Sequence, residues 1–264
     1  MKKYKIVCVL PNFNGEKNIE NTIKSFLSQN IKNKKMIIID RKSNDQSHKI
    51  IKKYLKNKCI IWSKYKDTGL CDAHNKGLEY LTFQENEIYL MIGNDDVLEK
   101  NIFKNVLKNF SKYLDAGALY YDQKIKFIKK GKLMKKYKKC SSKEINLKIL
   151  KIYGNIVGTQ NLFIKAKYLK KFKYLNSHKY ANDYFLYLYL AQIKKFKFKY
   201  IPKAACLSYN INNISTKYVF EGALESVKIY YKVLGLDLIF LYRLLLLIRV
   251  KVVILFKKII KYKN

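Results

Sequence analysis

The chain reads as an α/β protein with a mainly parallel sheet and helices on both faces. Two observations predict this. In the first 120 residues, short apolar β-rich runs alternate with stretches whose apolar residues recur at helical spacing, the pattern of strands joined by crossover helices. An apolar content of 49% over 264 residues supplies a sizeable core and excludes a disordered chain.

The elements follow in order. "KIVCVL" is a first strand. "GEKNIENTIKSFLSQN" places Ile19, Ile23, Phe26 and Leu27 on one helical face. "KMIIID" is a second buried strand, and "SNDQSHKIIKKYL" opens with capping residues before a helical pattern. "CIIW" is a short third strand, and "GLCDAHNKGLEYL" passes from a loop into a helix. "EIYLMI" is a fourth strand, "EKNIFKNVLKNF" a further helix and "GALYY" a strand. In such sheets ligands bind at the carboxyl ends of the strands. Asn12 to Gly15, Asp40 and Asp95–Asp96 all follow strand ends, so they can converge on one cleft. The second half is less regular. "KIKFIKKGKLMKKY" reads as a hairpin around Lys130-Gly131, and "NDYFLYLYLAQI" as a helix. "FKFKYI" and "AACLSYN" read as paired strands near Pro202.

From Gly235 the chain changes to "GLDLIFLYRLLLLIRVKVVILFKKIIKYKN". This is long enough to span a bilayer, but Arg243, Arg249 and Lys251 interrupt it. At about 100° per residue, Arg243, Lys251, Lys258 and Lys261 fall within roughly 80°, with Lys257 beside them. A basic stripe on an apolar helix describes a segment lying in a membrane interface. Packing on the protein and a true span are the alternatives. The sequence thus divides into residues 1–234, with halves at about 1–120 and 121–234, and a helical extension over 235–264.

The formal net charge of +36 invites a nucleic-acid reading. Against it, the only arginines are Arg41, Arg243 and Arg249, and the forked guanidinium is what base-edge and phosphate recognition favours. No nucleic-acid partner is expected. The charge instead suits an anionic membrane surface. The cysteines at 8, 59, 71, 140 and 206 form no CxxC pair, which suits a reducing compartment. The apolar run after the basic N-terminus is too short for a signal peptide. A cytoplasmic protein, peripheral on the inner face of the membrane, is the expectation.

"YLMIGNDDVL" places two acids side by side at a strand's end in a chain poor in acids. Like charges at that spacing repel unless a cation sits between them, so the loop is either a solvated turn or a metal holder. "ANDYF" offers Asp183 at the start of an apolar helical run.

Four stretches together resemble the family 2 glycosyltransferases of GT-A fold, and in particular bacterial surface-polysaccharide and lipopolysaccharide-type transferases. "VCVLPNFNGEKNIENTIKSFLSQ" is similar to that family's opening strand, turn and helix. "MIIIDRKSNDQS" resembles its V-D-x-x-S-x-D-x-S/T segment. "DTGLCDAHNKGLEYL" resembles its G-I/L-Y-D-A-M-N-K-G variant. "YLMIGNDDVL" sits where it carries a D-x-D metal motif. A looser match reaches about residue 200.

The resemblance implies inverting transfer of a sugar from a nucleotide-sugar, expected to be UDP-linked, to a glycan or lipid-linked glycan acceptor in lipopolysaccharide, capsule or related synthesis. It implies Mg²⁺ or Mn²⁺ on Asp95 and Asp96. Pro11, Phe13, Asn14, Asp40, Asp72, Asn75, Lys76 and Asn94 are expected at the nucleotide-sugar. Asp183 is expected as catalytic base, with Gln160 and His178 beside the acceptor. His74 reads as structural, since the related motif has Met there. The family usually has an acid two positions before Asp95, where this chain has Gly93. A non-catalytic scaffold keeping the fold, or a basic RNA-binding protein, are the rival readings.

Overall fold

The computed structural model describes residues 4–129, 132–209 and 218–262, the last helix by its backbone alone beyond residue 252. The elements are β1 (Lys5–Asn12), α1 (Ile19–Leu27), β2 (Lys34–Asp40), α2 (Ser47–Tyr54), β3 (Ile60–Lys64), α3 (Leu70–Leu78) and β4 (Glu87–Met91). Then come β5 (Val97–Leu98), α4 (Ile102–Lys112), β6 (Ala118–Lys129), β7 (Lys132–Lys138), α5 (Leu147–Tyr153), β8 (Leu162–Lys165) and α6 (Asn182–Gln192). β9 (Phe198–Tyr209), α7 (Val219–Leu234) and α8 (Leu238–Tyr262) complete the chain.

The strands form one mixed sheet in the order β3-β2-β1-β4-β8-β6-β9-β5, with β7 paired to β6. β3, β2, β1 and β4 are mutually parallel. β8 then runs antiparallel to both β4 and β6. The central strands are apolar on both faces because helices cover both faces. Their period of two splits them between two cores. Val7, Val9, Ile37, Ile39 and Tyr89 face α3, α5, α6 and α7. Ile6, Cys8, Leu10, Met36, Ile38 and Leu90 face α1, α2 and α4. This is the GT-A type of α/β architecture expected from the sequence.

Two expectations are corrected. The segments around Pro202 are not paired strands but one strand, β9, running beside β6. Its register slips between Ile201 and Ala204, so Pro202 and Lys203 are absorbed as an irregularity, the place where a residue without an N–H disturbs a ladder least. The second correction concerns Arg243. It does not join an exposed basic stripe but turns inward and is 8% exposed, while Leu241, Leu245, Ile248 and Val252 face out. The side chains of Lys257, Lys258 and Lys261, and the turn at Lys130-Gly131, lie outside the described residues. α7 had no counterpart in the sequence reading. No helix among the described residues is long and apolar enough to cross a membrane.

Candidate active site

The parallel half brings three strand ends together. Asn12, at the end of β1, is buried. Its Nδ2 donates to Asp40 Oδ2 at 2.7 Å and Ser43 Oγ at 3.2 Å, and its Oδ1 accepts from Asn94 Nδ2 at 2.8 Å. Asp40 also accepts from the Ser43 amide and hydroxyl and meets His48 Nε2 at 2.8 Å. The relay Asp40–Asn12–Asn94 therefore ties β2, β1 and the loop after β4. Gly15 lies against it. A Cβ there would fall 2.2 Å from Asn12 Oδ1 and 2.4 Å from Asn94 Nδ2, so a side chain would break the relay.

The acid pair is the next layer. The Gly93 amide donates to Asp96 Oδ2 at 2.7 Å, folding the carboxylate back over the turn. A Cβ at position 93 would sit 2.8 Å from Asp95 Oδ1 and 3.2 Å from Asp96 Oδ2. A side chain at 93 would therefore have to displace the ends of both carboxylates. Burial, reinforced by the Asp95 charge, pushes the Asp96 carboxyl up to about 7. Burial also raises Asp95. Neither forms an ion pair among the described residues. Two carboxylates without a counter-charge fit a hard divalent cation, which prefers oxygen ligands. Among the described residues no cluster of three or more acidic, His or Cys side chains forms a closed protein cage.

A cleft of about 640 Å³ opens beside the pair. Of the residues expected from the sequence, it is lined by Pro11, Phe13, Asn94, Asp95, Asp96, Gln160 and Asp183. Phe13 is 54% exposed, and Arg41 lies over its ring at 5.3 Å. Arg41 Nε also meets Asp67 at 3.3 Å. Asp183, in the first turn of α6, lines the same cleft. The Tyr184 amide donates to its Oδ1 at 2.9 Å, and burial raises its carboxyl above the ordinary range. Gln160 donates to Ser208 Oγ at 2.9 Å.

Other expected residues lie elsewhere. Asp40 is fully buried behind Asn12 and does not line the cleft. Asn14 holds the Asn44 amide at 3.1 Å. Asn75 exchanges two hydrogen bonds with the Tyr174 backbone, at 2.9 and 2.7 Å. Lys76 pairs with Glu79 at 2.7 Å. Asp72 accepts from the Thr68 amide at 2.9 Å and, like His178, lines a neighbouring cavity of about 620 Å³. Helix geometry explains the difference. Leu70, Cys71, Ala73 and His74 form the cleft face of α3, and at about 100° per residue Asp72, Asn75 and Lys76 point away from it.

His74, read from the sequence as structural, lines the cleft. Its Nδ1 is buried with no partner among the described residues, and burial lowers its pKa to about 3, so the ring is neutral. Arg41 and Asp67, which also line the cleft, were not singled out as site residues. Arg41 carried a signal: it is a rare arginine directly after a strand-ending acid.

The family described as Glycosyl transferase family 2 matches residues 7–172. No curated protein matches the chain. Among solved structures, S. aureus TarS 1-349 is 18% identical with a TM-score of 0.65, over 90% of this chain and 71% of that one. The same protein in complex with UDP-GlcNAc is 17% identical, TM-score 0.64, over 88% and 68%. The mannosyltransferase PcManGT from Pyrobaculum calidifontis, in complex with GDP-Man and Mn²⁺, is 13% identical, TM-score 0.61, over 89% and 66%. These likenesses show a shared fold.

Proposed function

This chain belongs to glycosyl transferase family 2, and on that premise we propose that it transfers a sugar, with inversion, from a UDP-linked donor to a membrane-held glycan acceptor in surface-polysaccharide synthesis. One observation carries the reading: a single cleft is lined by both the Asp95–Asp96 pair and Asp183. The TarS complexes with UDP and UDP-GlcNAc support the choice of donor.

The roles follow from the lining. Phe13 offers an exposed ring against which a base can stack, with Arg41 above it. Arg41 and Lys179 line the cleft and offer the positive charge that neutralises the donor's phosphates, whereas Lys76, expected at the nucleotide-sugar, is turned to Glu79. Asp95 and Asp96 would hold Mg²⁺ or Mn²⁺, which when bound neutralises charge developing on the diphosphate. Asp183 takes the acceptor hydroxyl's proton as the oxygen attacks the anomeric carbon and the bond to the diphosphate breaks. Its raised pKa makes it a stronger base than an ordinary carboxylate, a contribution of typically 10²–10⁴ in rate. Gly93 supplies the amide from which Asp96 accepts, which supports a working acid loop over a non-catalytic scaffold.

The acceptor's location is read from α8. Leu241, Leu245, Ile248 and Val252 are exposed and fall within about 60° of one another, with Arg249 and Lys251 exposed within roughly 90° on either side. An apolar stripe between cations suits a helix resting in an anionic interface, on the cytoplasmic face.

The test is a panel of UDP- and GDP-sugars assayed for hydrolysis and transfer, with EDTA, Mg²⁺ or Mn²⁺. Cation-dependent turnover of one donor, lost in Asp183→Asn while donor binding persists, is the expected result. Full turnover in chelator would remove the metal role. Unchanged turnover in Asp183→Asn would remove the base.

A further inference from the structure

The family match ends at residue 172, before the helix that carries Asp183. What holds the start of that helix comes from later still. Ala181, at the N-cap of α6, has no side chain able to cap it, and the chain enters the helix through residues 179–181. Glu225, on α7, anchors that lead-in. Its carboxylate accepts from the amides of Lys179 at 2.9 Å, Tyr180 at 2.6 Å and Ala181 at 3.1 Å. A carboxylate at a helix N-terminus also opposes the helix dipole favourably.

Arg243, on α8, holds the other side of Asp183. Its Nη1 donates to Tyr184 Oη at 2.7 Å and to the carbonyls of Lys151 at 3.0 Å and Leu150 at 3.4 Å. Its Nη2 donates to Ser226 Oγ at 3.1 Å. The guanidinium lies over the Tyr184 ring at 4.7 Å and the Tyr230 ring at 5.4 Å. No carboxylate pairs with it among the described residues. The carbonyls ending α5, the negative end of that helix, and the two aromatic faces offset its buried charge instead.

Asp183 is thus bracketed by positions 179–181 and 184. The rest of α6 does not need these contacts, because Leu186, Tyr187, Leu188 and Leu190 are fully buried. We infer that Glu225 and Arg243 are positioning residues that hold the Asp183 carboxylate at the cleft, making the C-terminal helix pair part of the acceptor-side machinery. This rests on the reading of Asp183 as base.

The experiment is a double-mutant cycle on the donor that the wild type turns over, using Glu225→Ala, Glu225→Gln, Arg243→Lys and Asp183→Asn. Glu225→Ala should lower kcat by roughly 10–100-fold, the scale of a small misplacement, while donor KM, which Lys179 on the same segment can move, changes by a smaller factor than kcat. Glu225→Gln, which keeps one acceptor oxygen, should recover part of the loss. Arg243→Lys, which keeps the charge but not the fork, should also lower kcat. In the Asp183→Asn background, Glu225→Ala should cost nothing further, because its effect runs through the missing base. Amide exchange at 179–184 should quicken while that of β1, β2 and β4 is unchanged, a readout that also stands without turnover. An unchanged kcat in Glu225→Ala and Arg243→Lys, or losses that multiply in the double variant, would overturn the inference. Full activity in Asp183→Asn would instead overturn the base. If Glu225→Ala does not fold, Glu225→Gln and Arg243→Lys carry the same cycle.

Discussion

Replacing Asp96 with asparagine should stabilise the cation-free protein at alkaline pH while removing its response to a divalent cation. Asp96 is 6% exposed, and burial with the Asp95 charge raises its carboxyl from 3.8 to about 7. A folded-state pKa above the unfolded one means that stability is fully present below pH 3.8 and is lost as pH rises through 7. Over the whole window, about three pKa units at 1.36 kcal/mol each amount to roughly 4 kcal/mol. Between pH 5 and pH 8 the loss is about 2.5 kcal/mol, or about 5 °C in Tm for a chain of this length. The substituted amide would still accept from the Gly93 N–H but carries no charge, so the variant should escape this loss. The assay is thermal unfolding of both proteins at pH 5 and pH 8 in EDTA, then in Mn²⁺. The difference between the two proteins isolates Asp96 from Asp67, Asp95 and Asp183, whose carboxyls are raised in the same direction. Mn²⁺ should restore the wild type at pH 8 and leave Asp96→Asn unmoved. A wild type that loses no stability relative to the variant on going from pH 5 to pH 8 would refute the reasoning.

Three further outcomes are expected. Gly93→Asp, which restores the family's usual acid, should weaken Mn²⁺ binding in calorimetry rather than strengthen it, because its Cβ would fall 2.8 Å from Asp95 Oδ1. Asn12→Ala should cost about 1–3 kcal/mol in denaturant unfolding, because it strips one donor from the buried Asp40 carboxylate and the acceptor from Asn94. Deleting residues 245–264 should abolish co-sedimentation with anionic liposomes and leave Tm nearly unchanged. Deleting 236–264 should also lower stability measurably, by about 1–3 kcal/mol, since it strips the buried Tyr184 hydroxyl and the α5 carbonyls of the Arg243 donor.

The parallel half was legible because its signals are local. Apolar runs with both faces buried, and Asn12, Asp40 and Asp95 at strand ends, fix both the layering and the side of the sheet that carries chemistry. Asp183 was legible as an acid opening an apolar helix. The facing of α3 was not. A motif names Asp72, Asn75 and Lys76, but the helix phase that turns Cys71 and His74 inward is set by packing beneath β1, where a Cβ on Gly77 would meet Val9 at 2.3 Å. Arg243 was misplaced for a related reason. A helical wheel shows which residues share a face but not which face the protein covers, and the Tyr184, Tyr230 and carbonyl surroundings of this guanidinium come from three other helices.

The two-residue strand β5 gives the sheet a consequence of its own. It follows the acid pair directly, yet it pairs with Leu207 and Cys206 of β9, at the far end of the strand order from β3. Cys206 and Ser208, of that same stretch, lie near enough to Asp96 to draw its carboxyl pKa down against the effect of burial. The acid loop is therefore a strap sewn into both halves, and neither half is a free-standing module. A fragment ending near residue 120 would leave β5 with a bare edge and Asp96 without its floor. Conversely, a substitution at 206 or 208, over a hundred positions from the acids, would be felt at the acid pair.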